Sequence, residues 1–156
     1  MKKLDAIDIA ILDALQRDGR LPNVALAKAV GLSATPCAER VRSLEVAGVI
    51  TGYTACLDAG QLDLGLLVFI EISIHRTSED AFDQFRHAIL GIPQVQECHM
   101  VAGGFDYLLR VRVRDMTAYR HFLGEVLSRV PGIRETRSYA VMERVKESRA
   151  LDLSHL

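Results

Sequence analysis

Two stretches of this sequence carry residue types that could do chemistry. The first is Gly103-Gly104-Phe105-Asp106-Tyr107. Adjacent glycines let backbone N–H groups come close to a ligand, and amides in such a turn hold anions. Asp106 beside them offers a carboxylate to an ammonium group. Together they suit a zwitterion, an amino acid, with its carboxylate on amides and its amine on aspartate. The same residues also make an ordinary hairpin capped by Asp106. Residue types alone leave both readings open.

The second stretch runs from Asn23 to Arg42. Ala27 is small where two helices must approach closely, Gly31 supplies a turn, and the capping candidate Ser33 follows after Leu32. That is the build of a helix-turn-helix, whose second helix lies in the major groove with its N-terminal half on base edges. Cys37, Val41 and Leu44 make the apolar stripe of that helix. Ser33, Ala34, Thr35, Pro36, Ala38, Glu39, Arg40, Arg42 and Ser43 are left to face the groove. Arg40 and Arg42 can read guanine edges or grip phosphate, and Ser33 and Thr35 can anchor phosphates. A helical hairpin with a solvated charged face is the plainer alternative. Residues 1–57 hold 7 basic and 6 acidic side chains. Moderate affinity per head, raised by joining several heads in one particle, fits that near balance.

Nothing else points to catalysis. His75, His87, His99, His121 and His155 form no His-x-x-x-His pair, and neither Cys-x-x-Cys nor a phosphate-cradling Gly-x-x-x-x-Gly-Lys occurs. An enzyme using His99 and Asp106 as acid and base would have no nucleophile, metal site or cofactor loop behind it. No catalytic residue, metal or cofactor is expected. Cys37 lies on an apolar stripe and reads as a buried small hydrophobe, as do Cys56 and Cys98. The row Arg110, Arg112, Arg114 reads as a solvated or inter-subunit strand face.

The elements that must position these residues follow from periodicity. Leu4, Ile7, Ile11, Ala14 and Leu15 recur at helical spacing, with Asp5, Asp8 and Asp13 off the stripe and Gly19 as the stop. A second helix starts at Asn23 as N-cap and stops at Gly31, and a third covers about 34–47 before Gly48. Val49 to Leu57 has β character. From residue 66 the period changes. Leu67 to Ile74, Val95 to Ala102, Tyr107 to Arg114 and 134–145 read as strands, with helices at 78–90, starting at Ser78, and at 116–130. The order β-α-β-β-α-β is the split βαβ, ferredoxin-like unit. Two helices cover one sheet face, and the other, read as apolar, predicts a partner, most simply a second copy. The expected class is α+β, with residues 1–50 as the helix-turn-helix domain, 51–65 as a linker, 66–146 as the ferredoxin-like domain and 147–156 as a tail.

Composition is consistent with this. The chain has 156 residues, 49% hydrophobic and 25% charged, with a net charge of −1. That rules out wholesale disorder and a polybasic anchor, so any nucleic-acid site is a local patch. No apolar run reaches the ~20 residues of a membrane span, and no secretory signal is evident. Three widely spaced cysteines suit reduced thiols. A soluble, cytoplasmic protein with no membrane partner is the expectation.

The motifs together resemble a known family. Asn23-Val24 through Gly31-Leu32-Ser33, Thr35-Pro36-Cys37, and Glu39-Arg40-Val41-Arg42-Ser43-Leu44-Glu45 are similar to the recognition segment of the Lrp/AsnC (feast/famine) transcriptional regulators. Gly52-Tyr53-Thr54-Ala55, Leu67 to Ile72, Gln96-Glu97-Cys98-His99, Phe105-Asp106-Tyr107-Leu108-Leu109 and Val141-Met142-Glu143 match further along. The likeness covers about residues 4–150 and is strongest to the leucine-responsive branch.

The resemblance implies an N-terminal winged-type helix-turn-helix head and a C-terminal sensing and dimerising domain. It implies double-stranded DNA as a partner, with Asn23 joining the groove-facing set, and a homodimer assembling into a homo-octamer. An amino-acid effector is implied between sensing domains. Carried over, its loop is Val101, Gly103, Gly104, Phe105, Asp106, Tyr107 and Leu108, with Ser138 and Val141 on the last strand. Gly104 stands where the nearest relatives usually carry aspartate, so leucine, alanine, proline and lysine all stay open. An architectural DNA-binding protein without an effector is the alternative function.

Overall fold

The computed structural model describes residues 3–75 and 80–156. The chain divides into two compact units, Met1–Cys56 with Lys146–Leu156, and Leu57–Val145.

The first unit holds α1 (Ala6–Arg17), α2 (Asn23–Ala29) and α3 (Ala34–Val46). Asp5 caps α1, its carboxylate accepting from the Asp8 amide at 2.8 Å. The α2 and α3 ends use one device twice. Gly31 has φ +71° and Gly48 φ +70°, a left-handed turn that glycine adopts without strain. The amides beyond them, Leu32 and Val49, reach back to the Ala27 and Leu44 carbonyls at 2.8 and 2.9 Å, the Schellman closure of a helix end. Ile11, Leu26, Ala27, Cys37 and Leu44 form the core. The C-terminal residues belong to this unit, and Gln16 clasps the Leu151 backbone through both its amide groups, at 2.9 and 3.0 Å.

Three expectations change here. Asn23 is the first residue of α2 rather than its cap, Pro22 taking that place. Val49 to Leu57 forms no strand within the single chain. The Val49 and Ile50 amides are both spent on the Leu44 carbonyl, and residues 51–57 are exposed with no ladder partner among the described residues. Asp8, read as off the apolar stripe, is buried.

The second unit is a four-stranded antiparallel sheet in the order β2-β3-β1-β4, with β1 Leu66–Ile74, β2 Val95–Met100, β3 Tyr107–Val113 and β4 Ile133–Ala140. Its core lies under α4 (Ala81–Leu90) and α5 (Met116–His121): Val68, Ile70, Ile72 and Ile74 meet Leu109, Val111, Phe85 and Phe122. The expected start of α4 at Ser78 lies outside the described residues. The helix expected over 116–130 is α-helical only to His121. Phe122–Val126 is a π turn and Leu127–Arg129 a 3₁₀ turn. The wider π turn brings Phe122 and Leu127, five apart, onto the core together.

The uncovered sheet face is mixed rather than uniformly apolar, with Leu67, Phe69 and Leu108 set among charged and polar side chains. Arg110 pairs with Glu97 at 2.7 Å, His99 with the same carboxylate at 3.2 Å, and the Tyr139 hydroxyl donates to Glu71 at 3.0 Å. Arg112 is not solvated either. It is buried, donating to the Leu64 carbonyl and Gln96, while Arg114 pairs with Asp63. Cys37 is buried, but Cys56 and Cys98 are exposed, contrary to expectation. Cys98 shares the helix-side parity of Leu109, its partner on β3, but it sits on the edge strand β2.

Candidate functional site

The outward face of α3 is set by its buried stripe. At about 100° per residue, Thr35, Ala38, Glu39, Arg42 and Ser43 all point more than about 90° from Cys37. All five are exposed, as is Ser33, whose hydroxyl makes no capping bond. Pro36 is half-buried on the flank. Asn23 donates its side-chain amide to the Ala34 carbonyl at 2.8 Å, pinning the start of α2 to the first turn of α3. Arg40 departs from the sequence reading. It lies only about 60° from Cys37 around the helix. Its guanidinium reaches Asp5 at 2.7 Å and Asp8 at 2.9 Å, back toward α1 and not outward with Arg42.

In the second unit the glycine-rich loop borders a cleft of about 410 Å³, lined by Ser73, Ile74, His75, Gly103, Gly104, Phe105, Asp106 and Arg134. A smaller hollow beside it shares Ser73, Gly104 and Phe105 and adds Glu71, Glu135 and Arg137. The loop is fastened at its base. The Val101 amide donates to the Asp106 carbonyl at 3.0 Å and the Asp106 amide to the Ile72 carbonyl at 2.9 Å. The Asp106 carboxylate also accepts from the Ile74 amide at 2.8 Å, so it is a structural clasp as well as a cleft group. Neither Gly103 nor Gly104 has a left-handed φ, and a Cβ on either would meet nothing within 4 Å. The backbone does not require glycine at either position.

The structure does not gather every residue of the expected effector set. Tyr107 points away from the cleft into the core, buried, with its ring 4.5 Å from that of Phe85 and 6.1 Å from Phe82. Burial pushes its phenol above the ordinary range. Leu108 stands opposite Glu71 and His99 on the uncovered face. Ser138, opposite Ile70, accepts from the Tyr119 hydroxyl on the helix side. The Val141 amide bonds Leu67 at the other end of β1 from Ile74. Of the expected effector set, therefore, Gly103 to Asp106 line the cleft within one chain. His75 and Arg134 were missed by sequence reasoning. They stand at strand ends 59 residues apart, brought together by the β1–β4 pairing that sets Ile74 opposite Ile133 and by the His75 amide, which bonds the Gly132 carbonyl at 2.8 Å. No local motif could have shown that.

Among the described residues there is no group of three or more His, Cys, Asp or Glu placed to hold a metal, and no helix long and apolar enough to cross a membrane. A helix-turn-helix with an exposed, polar second helix, followed in the chain by an α+β unit with a cleft at its glycine-rich loop, is the layout of a DNA-binding transcription regulator.

The comparisons with known proteins give the family. The AsnC-type helix-turn-helix domain matches residues 4–45 and the Lrp/AsnC ligand binding domain residues 67–151. The chain belongs to the Lrp/AsnC family. It is 57% identical to the leucine-responsive regulatory proteins of Escherichia coli K12 and Klebsiella pneumoniae, over 96% of this chain and 92% of theirs. Among solved structures it is similar to a Neisseria meningitidis transcriptional regulator in complex with L-Met, with TM-score 0.95, 38% identity and coverage of 98% of this chain and 99% of that one. Escherichia coli AsnC superposes with TM-score 0.85 at 25% identity, covering 94% and 97%.

Proposed function

We propose that this cytoplasmic regulator binds an amino acid at the Gly103–Asp106 loop and that the bound amino acid changes its DNA binding or its assembly. The cleft carries the reading: it sets one carboxylate, Asp106, beside the cationic Arg134 and the imidazole of His75, a charge pattern that matches a zwitterion. L-Met in the Neisseria regulator supports an amino acid as the effector class. Val101, Tyr107 and Leu108 then support the loop rather than line it, while Ser138 and Val141 reach the effector only if a second copy supplies them. The head, residues 1–50, offers Asn23, Ser33, Thr35, Pro36, Glu39, Arg42 and Ser43 to double-stranded DNA. The sensing domain, 66–146, pairs with its copy through the uncovered sheet face, and dimers assemble into an octamer. Paired heads then meet half-sites roughly 10 bp or a multiple apart.

A thermal-shift screen against the twenty amino acids tests the effector, because a ligand that binds only the folded state raises its apparent stability. One or a few amino acids are expected to raise Tm and to shift a DNA titration. If none moves either, the protein is an effector-independent architectural DNA binder. Sedimentation of a stable 17.3 kDa monomer would remove the assembly.

A further inference from the structure

Arg40 is on the helix that enters the groove, yet its charge is turned inward. Its guanidinium bridges two carboxylates of another helix, Asp5 at 2.7 Å and Asp8 at 2.9 Å. Asp8 has a side chain only 3% exposed, and Arg40 is one-third exposed. A buried carboxylate is costly unless it is paired and hydrogen-bonded, and Arg40 supplies Asp8 with a charged partner. Asp5 joins the same cluster and also caps α1. Both bonds come from one guanidinium nitrogen, Nη1, so a single donor of α3 ties two carboxylates of the α1 end together. Ile11 of α1 and Cys37 and Leu44 of α3 share one buried core cluster, and the ion pair adds a directional restraint to that packing.

We propose that Arg40 is a positioning residue for sequence recognition. It touches no base or phosphate. Through Asp5 and Asp8 it fixes the axial rotation and tilt of α3 on α1, and so decides whether Thr35, Glu39 and Arg42 meet their base edges together. This rests on α3 lying in the groove and is independent of the effector.

The test uses the full-length protein, a duplex selected from a random pool by the wild type, and a random-sequence duplex of equal length. Arg42→Ala is the control for a DNA-facing arginine: it should lower the salt slope of binding by about one. Arg40→Ala should leave that slope at the wild-type value while the selected-to-random affinity ratio falls roughly tenfold, with preference weakened at several positions rather than one. Asp8→Asn and Asp5→Asn supply the decisive sign. Each removes a negative charge from the head, which by electrostatics alone would tighten binding. Here each should instead lower the ratio, as Arg40→Ala does, and neither should worsen it further when combined with Arg40→Ala. If Arg40→Ala does not fold, the milder Asp5→Asn decides, since Asn caps a helix as well as Asp. The inference is overturned if Arg40→Ala lowers the slope by about one or erases preference at a single base pair, or if both aspartate variants discriminate like the wild type. If Arg42→Ala leaves DNA binding intact, α3 is not in the groove and both readings fall.

Discussion

The Asp106 carboxylate accepts a hydrogen bond from the Ile74 amide at 2.8 Å across 32 residues of chain, tying the glycine-rich loop to the end of β1. That bond needs an oxygen and not a charge. Asp106→Asn keeps an acceptor for Ile74 and removes the partner of an ammonium group. It should fold and assemble normally while amino-acid affinity falls by roughly 10- to 150-fold, the equivalent of a lost charge-assisted bond of about 1.5–3 kcal/mol. Asp106→Ala should lose both ligand affinity and about 1–2 kcal/mol of stability. Calorimetry on the folded Asn variant checks this; wild-type affinity there moves the site elsewhere.

Gly104 lacks any backbone need for glycine, and a side chain there enters open space beside the cleft. Gly104→Asp should therefore leave the melting temperature within about 2 °C of the wild type, as surface substitutions do. It should also change which amino acids are bound, because a second carboxylate beside Asp106 alters the charge of the cleft. A repeat of the twenty-compound thermal-shift screen reads the change, and an identical ranking would detach this position from effector choice.

Arg42 is exposed on α3, about 140° from the buried Cys37. If it makes a bidentate contact with guanine, Arg42→Ala costs about 1–3 kcal/mol on the selected duplex and relaxes preference at one position. If it grips phosphate, the loss is uniform across sequences. Binding titrations on single-base variants of the selected site distinguish these, and unchanged affinity removes Arg42 from the interface.

Acid sensitivity of the head should trace to Asp5. The Asp8 amide, and then Arg40, hold its carboxyl below the ordinary range. A group with a lowered folded pKa adds stability above its unfolded value and loses it as pH falls through the folded one. With an unfolded value of about 4, the loss begins below about pH 4. Asp5→Asn keeps the cap but has no charge to titrate. Its unfolding midpoint should fall less steeply than that of the wild type below pH 4, and parallel acid curves would count against it.

Much of this molecule was legible in one dimension. The i, i+4, i+7 stripe of Cys37, Val41 and Leu44 put α3 on the core, and Gly31 and Gly48 marked the two left-handed helix ends. Alternation in Leu109, Val111 and Val113 gave the half-buried strand β3. These succeed because a side chain's face is fixed by local geometry, at 3.6 or 2 residues per repeat. The loop Gly103 to Asp106 was legible by residue type, though its partners His75 and Arg134 were not.

What the tertiary structure alone decided concerns charges and strand partners. Periodicity placed Asp8 off the apolar stripe of α1, and by that rule it faces water. Arg40 reaches it from 32 residues away, and the pair is turned inward. Arg112 alternates correctly for a solvated face, yet the Leu64 carbonyl, 48 residues back, covers it. Val49 to Leu57 has the composition of a strand but finds no ladder partner among the described residues of the single chain. A face can be read from spacing because the helix or strand itself defines it. Whether a polar group on that face is buried depends on which distant group arrives to satisfy it, since burial without a partner costs more than solvation returns.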